Sequence, residues 1–177
     1  MDLDPQENRN VRARYVVMGV SGSGKSEIGR RLAKRLGIAY IEGDDYHSPE
    51  SIAKMEAGIP LDDADRHAWL LVLQSLIGSA AQRNEGVVLT CSALKRRYRD
   101  MLRSGDVSLV FVHLDGDPAL IAERMKRRTG HFMPEALLDS QLRDFEPLAP
   151  DERSVRVDIA ADPDEIVERI FRQIAVD

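Results

Sequence analysis

The chain has 177 residues, 43% hydrophobic and 31% charged, which suits one well-buried α/β domain and is short for two. A formal net charge of -5 with only 5% aromatic residues excludes the basic, base-stacking surface of a nucleic-acid binder. One cysteine, Cys91, cannot form an internal disulfide, and no apolar run approaches the ~20 residues that span a bilayer, so a reducing cytoplasmic setting without a membrane partner is expected.

The polar start, residues 1–13, reads as a flexible tail ahead of a single domain over 14–177. Short apolar runs then alternate with longer amphipathic stretches, the pattern of βαβ units around a parallel sheet. The first strand is expected at 15–18, where it delivers a glycine-rich loop. A helix follows over about 25–36, with Ile28, Leu32 and Leu36 on one face and Gly37 to close it. The second strand, 38–41, ends in Glu-Gly-Asp-Asp-Tyr-His at 42–47. A short helix is expected over 48–57 and a long one over about 64–82, started by Asp62 or Asp63. The third strand, 86–91, leads into a basic helix from about Ala93 to Arg103. The fourth, 108–114, precedes a helix from Pro118 to about Arg128. Residues 129–134 break the pattern, and helix resumes from Glu135 to about Phe145. A strand at 155–159 and a helix at 163–174 complete a five-stranded parallel sheet with helices on both faces.

Residues 19–26, GVSGSGKS, fit G-x-x-x-x-G-K-[ST] between a strand and a helix. Gly19, Ser21, Gly22, Ser23 and Gly24 are small enough for the backbone to curl its N–H groups toward phosphate oxygens. Lys25 then reaches the β and γ phosphates of ATP, and Ser26 holds Mg2+. A plain Gly/Ser turn would not require the flanking strand and helix.

Nucleotide binding leaves the reaction open. The N-K-x-D motif with which switch GTPases read guanine is missing, and no acid ends the third strand where motor ATPases carry one. Asp115, ending the fourth, is a weak substitute that also fits a turn before Pro118. Asp44 and Asp45 instead follow the second strand, at the carboxyl ends where ligands sit. An acid there takes a proton from an acceptor hydroxyl or orders Mg2+, which favours a small-molecule kinase; turn and capping chemistry is the alternative.

Three basic clusters suit a second anion. Lys95 and Arg99 lie one helical turn apart, and are equally explained as a solvated face beside an Arg96–Asp100 pair. Arg66 has an equal claim to pairing with its acidic neighbours at 62–65. Arg124, Arg127 and Arg128 at i, i+3, i+4, with Gly130 and His131 beyond, suit a mobile lid around 124–134 that neutralises a transferring phosphoryl group and excludes water. His113, inside an apolar strand, and Cys91 read as structural, and no zinc spacing is present.

These pieces, in order, resemble the small P-loop gluconokinases, which are related in fold to shikimate and nucleoside monophosphate kinases. The resemblance runs from Val16 to about Ile159 through the phosphate loop, Gly43-Asp-Asp-Tyr-His47, Lys54 to Arg66 with Trp69-Leu70, Cys91-Ser-Ala-Leu-Lys95, Arg124 to Phe132, and Ser140-Gln141. It implies ATP-dependent phosphorylation of D-gluconate at its terminal hydroxyl, with Mg2+, by a cytoplasmic homodimer. It implies that Asp44 orients or deprotonates that hydroxyl while Lys25, Arg124 and Arg128 stabilise phosphoryl charge. His47, Arg66, Lys95, Arg99 and His131 are then candidates, with Asp44, for holding the sugar acid. Ser48, Ser51 and Ala68 depart from the family's usual Pro, Asn and Pro, and Ser51 would change sugar-acid preference if it touched substrate. A kinase for another small hydroxy acid or a nucleoside monophosphate, and an ATP-binding regulatory module that transfers nothing, are the alternatives.

Overall fold

The computed structural model describes residues 12–128 and 135–176. Its centre is β1 (Arg14–Met18), a run buried on both sides as strands of a parallel sheet are. Because side chains alternate along a strand, Tyr15 and Val17 face one layer of helices while Val16 and Met18 face the other; all four are at most 1% exposed. The first layer is α1 (Lys25–Leu36) and α7 (Pro163–Ile174), which contribute Ile28, Leu32, Ile166 and Ile170. The second is α3 (Asp63–Gln82) and α4 (Arg96–Arg103), which contribute Trp69, Leu70, Leu73 and Leu102.

Four further strands, β2 (Ala39–Ile41), β3 (Val87–Thr90), β4 (Val110–Asp115) and β5 (Ser154–Asp158), pair in parallel with it in the order β2-β3-β1-β4-β5. Val16 is in register with Leu89 on one side and Phe111 on the other. The helices begin where the sequence supplies a cap. Asp62 and Asp65 form a reciprocal capping box on α3, and Asp117 and Asp162 cap α5 (Pro118–Arg127) and α7, each just before a proline. Ser48 caps α2 (Pro49–Glu56) by accepting the Ser51 N–H at 3.1 Å. The remaining helix is α6 (Glu135–Asp144).

The expected five-stranded architecture is therefore present, with three local differences. Residues 43–46 form a turn of 3-10 helix. The helix expected from Ala93 starts only at Arg96, because Ala93 takes a left-handed φ of 48° and Lys95 is extended. Ala13 is already docked on the sheet, its carbonyl accepting the Val87 N–H at 3.2 Å. The rest of the expected tail, residues 1–11, lies outside the described residues, as does the part of the expected lid at 129–134, with His131. Among the described residues no helix is long and apolar enough to cross a membrane.

Parallel strands put all their carboxyl ends on one rim. The loops after β1, β2 and β3 meet there, and their contacts are close. A Cβ on Gly43 would stand 1.9 Å from the Thr90 carbonyl oxygen, so only glycine fits. Trp69 Nε1 donates to the Gly43 carbonyl at 2.8 Å from below, and the Gly19 N–H reaches the Ser92 carbonyl at 3.3 Å.

Candidate active site

The glycine loop leaves β1 with Gly22 and Gly24 at φ 81° and 95°, conformations that side chains rarely tolerate, and Gly24 turns directly into α1. Lys25 is half-buried, and its Nζ donates to the Val20 carbonyl at 3.0 Å. Burial lowers the Lys25 pKa; the Asp44 and Glu42 carboxylates pull it back, and the Arg128 guanidinium pushes it down. Ser23 Oγ is buried and has no partner among the described residues, so its hydroxyl is available to a phosphate oxygen.

Lys25 shares one cleft with Ser21, Asp44, His47 and Arg66. Asp44 is the exposed carboxylate, with 70% of its side chain accessible, and its Oδ1 lies 3.4 Å from His47 Nε2. The His47 contact, helped by Lys25, holds the Asp44 carboxyl below its usual range, so it is ionised at neutral pH. His47 stacks on Trp69 with ring centroids 4.0 Å apart, which fixes the imidazole; its Nδ1 has no partner among the described residues. Opposite, Arg66 is held loosely: Nη1 is 3.3 Å from Tyr98 Oη and 4.0 Å from Asp144 Oδ2. Lys95 Nζ lies 4.0 Å from the other oxygen of Asp144 and 3.5 Å from Asp63. Arg66 and Lys95 thus converge on one carboxylate at distances too long for strong hydrogen bonds.

Two expected site residues are elsewhere. Arg99 is fully buried, with Nε 2.6 Å from Glu152, Nη1 at 3.0 Å from both the Ala93 and Leu94 carbonyls, and Nη2 bonded to Glu152 and Pro147. It does not share a face with Lys95, because the left-handed Ala93 delays the helix and turns Arg99 inward. Its donors hold a loop and leave none for a sugar acid. Arg124 donates to the Ile159 carbonyl at 2.7 Å, at the end of β5, and does not line the cleft. Nor do the arginines of the expected lid form one cluster. Arg127 pairs outward with Glu123, and Arg128 lies past the helix end on extended backbone, near enough for its charge to act on Lys25. Ser51 is buried against Ser48 and is outside the cleft lining.

Other contributors were hidden from sequence reading. Glu42, ending β2, accepts from Thr90 Oγ1 at 2.5 Å, from Tyr40 Oη at 2.7 Å and from Ser26. Burial pushes its carboxyl up, but these hydrogen bonds more than offset that and hold it below the carboxylate range. The acid sought at the ends of β3 and β4 is therefore supplied by β2, while Asp115 pairs with Arg156 at the surface. Among the described residues no three His, Cys, Asp or Glu side chains gather for a metal. A hydroxyl beside a carboxylate fits Mg2+, a hard cation held mostly by phosphate and water oxygens with one or two protein ligands. His113 stacks on Phe145, and burial pushes the Cys91 thiol up to about 12, which keeps it protonated at neutral pH.

The sequence profile of an AAA domain family matches residues 15–148. A gluconokinase of Gluconobacter oxydans (strain 621H) is 46% identical over 157 residues, covering 89% of this chain and 88% of that protein. The crystal structure of a gluconokinase from Sinorhizobium meliloti 1021 is 47% identical with a TM-score of 0.84, covering 95% of this chain and 94% of that one. A shikimate kinase from Bacteroides thetaiotaomicron, 16% identical with a TM-score of 0.67 over 92% of this chain and 98% of its own, shares the fold. Likeness of this extent to gluconokinases, over nearly the whole of both chains, makes this chain a member of the gluconokinase family of P-loop kinases.

Proposed function

We propose that the protein transfers the terminal phosphoryl group of ATP to the terminal hydroxyl of D-gluconate. The observation that carries this reading is one cleft with Lys25 and the phosphate loop on one side, Asp44 and His47 beside it, and a loosely partnered Arg66 across from them. Phosphoryl transfer passes through a loose transition state, so positioning and charge compensation supply most of the catalysis.

Lys25, with the charge of Arg128 behind it, neutralises the transferring group. Asp44, ionised and oriented by His47, accepts a hydrogen bond from the attacking hydroxyl. Its depressed pKa makes it an aligning group first and a proton acceptor late, once the hydroxyl has become acidic on bonding to phosphorus. Arg66 and Lys95 take the gluconate carboxylate in exchange for Asp144, trading contacts of 4.0 Å for charge-assisted hydrogen bonds. Ser92 and Ser140 border the cleft near enough for the sugar hydroxyls, and Trp69, Leu61 and Leu137 give it a wall that excludes water. Ser26 and Glu42 would hold Mg2+, whose chemistry here is to offset phosphate charge.

ADP release measured with Mg-ATP against D-gluconate, other sugar acids, shikimate, AMP and no acceptor tests this. Gluconate-driven turnover is expected; turnover on another acid would reassign the acceptor, and a rate no greater than the blank would favour a non-catalytic module. The reading also carries a cytoplasmic homodimer, which rests on the family and, for the compartment, on the single buried Cys91; sedimentation at micromolar concentration tests the dimer.

A further inference from the structure

Gln141, on α6, lays its carboxamide against the phosphate loop. Its Oε1 accepts the Ser21 backbone N–H at 2.7 Å, and its Nε2 lies 3.4 Å from Ser21 Oγ. The catalytic account above makes no use of it. The contact is chemically odd, because the donors of such a loop are arranged for anionic oxygens, and here one of them meets a neutral amide from 120 residues away. Lys25 is likewise occupied by a carbonyl, that of Val20, while Ser23 Oγ goes unpartnered among the described residues.

The residue type then matters. An amide has an acceptor and two donors on one flat group, so half a turn about its last bond replaces C=O by N–H at the same place. A carboxylate would hold the Ser21 N–H more strongly, yet would repel a phosphate. Gln141 also borders the cleft beside Asp44, His47 and Arg66, on the acceptor side of the loop, so the phosphate it faces is the terminal one.

We propose that Gln141 positions the terminal phosphoryl group: its carboxamide, which accepts from the Ser21 N–H, turns to donate Nε2–H to that group when ATP binds. This rests on the kinase reading above. It also ties α6, which carries Leu137 and Ser140 into the same cleft, to the presence of nucleotide.

The test is calorimetric binding of a non-hydrolysable ATP analogue, and of ADP, to the full chain and to Gln141→Glu and Gln141→Leu, with Mg2+ and without any acceptor. Gln141→Glu is expected to weaken the analogue by about 10-fold or more and ADP by less than about threefold, a like charge being set against one terminal phosphate. The analogue's loss should shrink as pH falls and the introduced carboxyl takes up a proton, since it then donates as the amide does. Gln141→Leu should weaken the analogue by roughly fivefold at every pH, the loss of a hydrogen bond. A residue that only latches the loop gives a different result, with Gln141→Glu binding the analogue as well as the native chain across the pH range; that overturns the proposal. Equal weakening of analogue and ADP would report general distortion of the loop and overturns it too. Because no acceptor is present, these outcomes are separate from failure of gluconate to support turnover.

Discussion

The two sides of α4 each hold a buried arginine, and the two are held differently. Around Arg99, nothing is left over: the guanidinium is 0% exposed and bonded to Glu152 and to three carbonyls. Around Arg66, 7% exposed on α3, the partners among the described residues are one phenol at 3.3 Å, one carboxylate at 4.0 Å and the face of Tyr98 with its centroid 5.3 Å away. Burial alone does not separate a structural arginine from a ligand-binding one; unspent donors facing a cleft do. Arg99 acts on the site indirectly, since the two carbonyls it grips belong to the strained turn at Ala93 that presents Ser92 and Lys95.

Breaking the Arg99 side should have the largest effect on stability. Arg99→Met takes from the buried Glu152 its bidentate partner and leaves it the Ala149 N–H and a 3.7 Å contact to Arg96, and about 3–5 kcal/mol of unfolding free energy should be lost in urea titrations. Any folded fraction should keep its KM for gluconate within about twofold, since Arg99 touches no ligand. Arg66→Ala should do the reverse, raising that KM about 10–100-fold as a charge-assisted contact is lost, with the KM for ATP little changed. If the gluconate KM holds while stability falls, the comparison is inverted. Acid titration sharpens the contrast. Burial raises the Glu152 pKa, but Arg99 and the Ala149 N–H outweigh it and the folded pKa is lowered. The stabilisation is therefore complete above the unfolded glutamate pKa and is lost as pH falls through the lowered folded value. The stability gap between the native chain and Glu152→Gln should be constant at neutral pH and narrow in acid; a gap independent of pH would deny the charge its role. The smallest effect is expected for Ser51→Asn, which faces Ser48 and not the cleft: acceptor preference should stay within about twofold, by assay on the same acid panel.

The architecture was open to sequence reading because it rests on local signals. Strands buried on both faces appear as unbroken apolar runs such as Tyr15–Met18, and helices announce themselves at Asp62, Asp117 and Asp162. The phosphate loop was readable for the same reason, lying between a strand and a helix. What escaped depends on backbone detail or on distant partners. A single left-handed residue, Ala93, moved a helix start and undid the helical spacing that paired Lys95 with Arg99. Glu152 lies 53 residues from Arg99, and Gln141 lies 120 from Ser21, so neither contact has a spacing to detect. Glu42 was visible as an acid in its motif, but its contacts with Ser26 and with Thr90 on the neighbouring strand exist only once the sheet has formed.

The central claim is that Arg66 reads the carboxylate of the acceptor. Its most direct test is the kcat/KM for D-gluconate relative to D-glucitol, which has the same chain of hydroxyls without the charge, in the native protein and in Arg66→Ala. A native preference for gluconate is expected, shrinking by about 10-fold or more in the variant, chiefly through loss on gluconate. An undiminished preference in Arg66→Ala would contradict it.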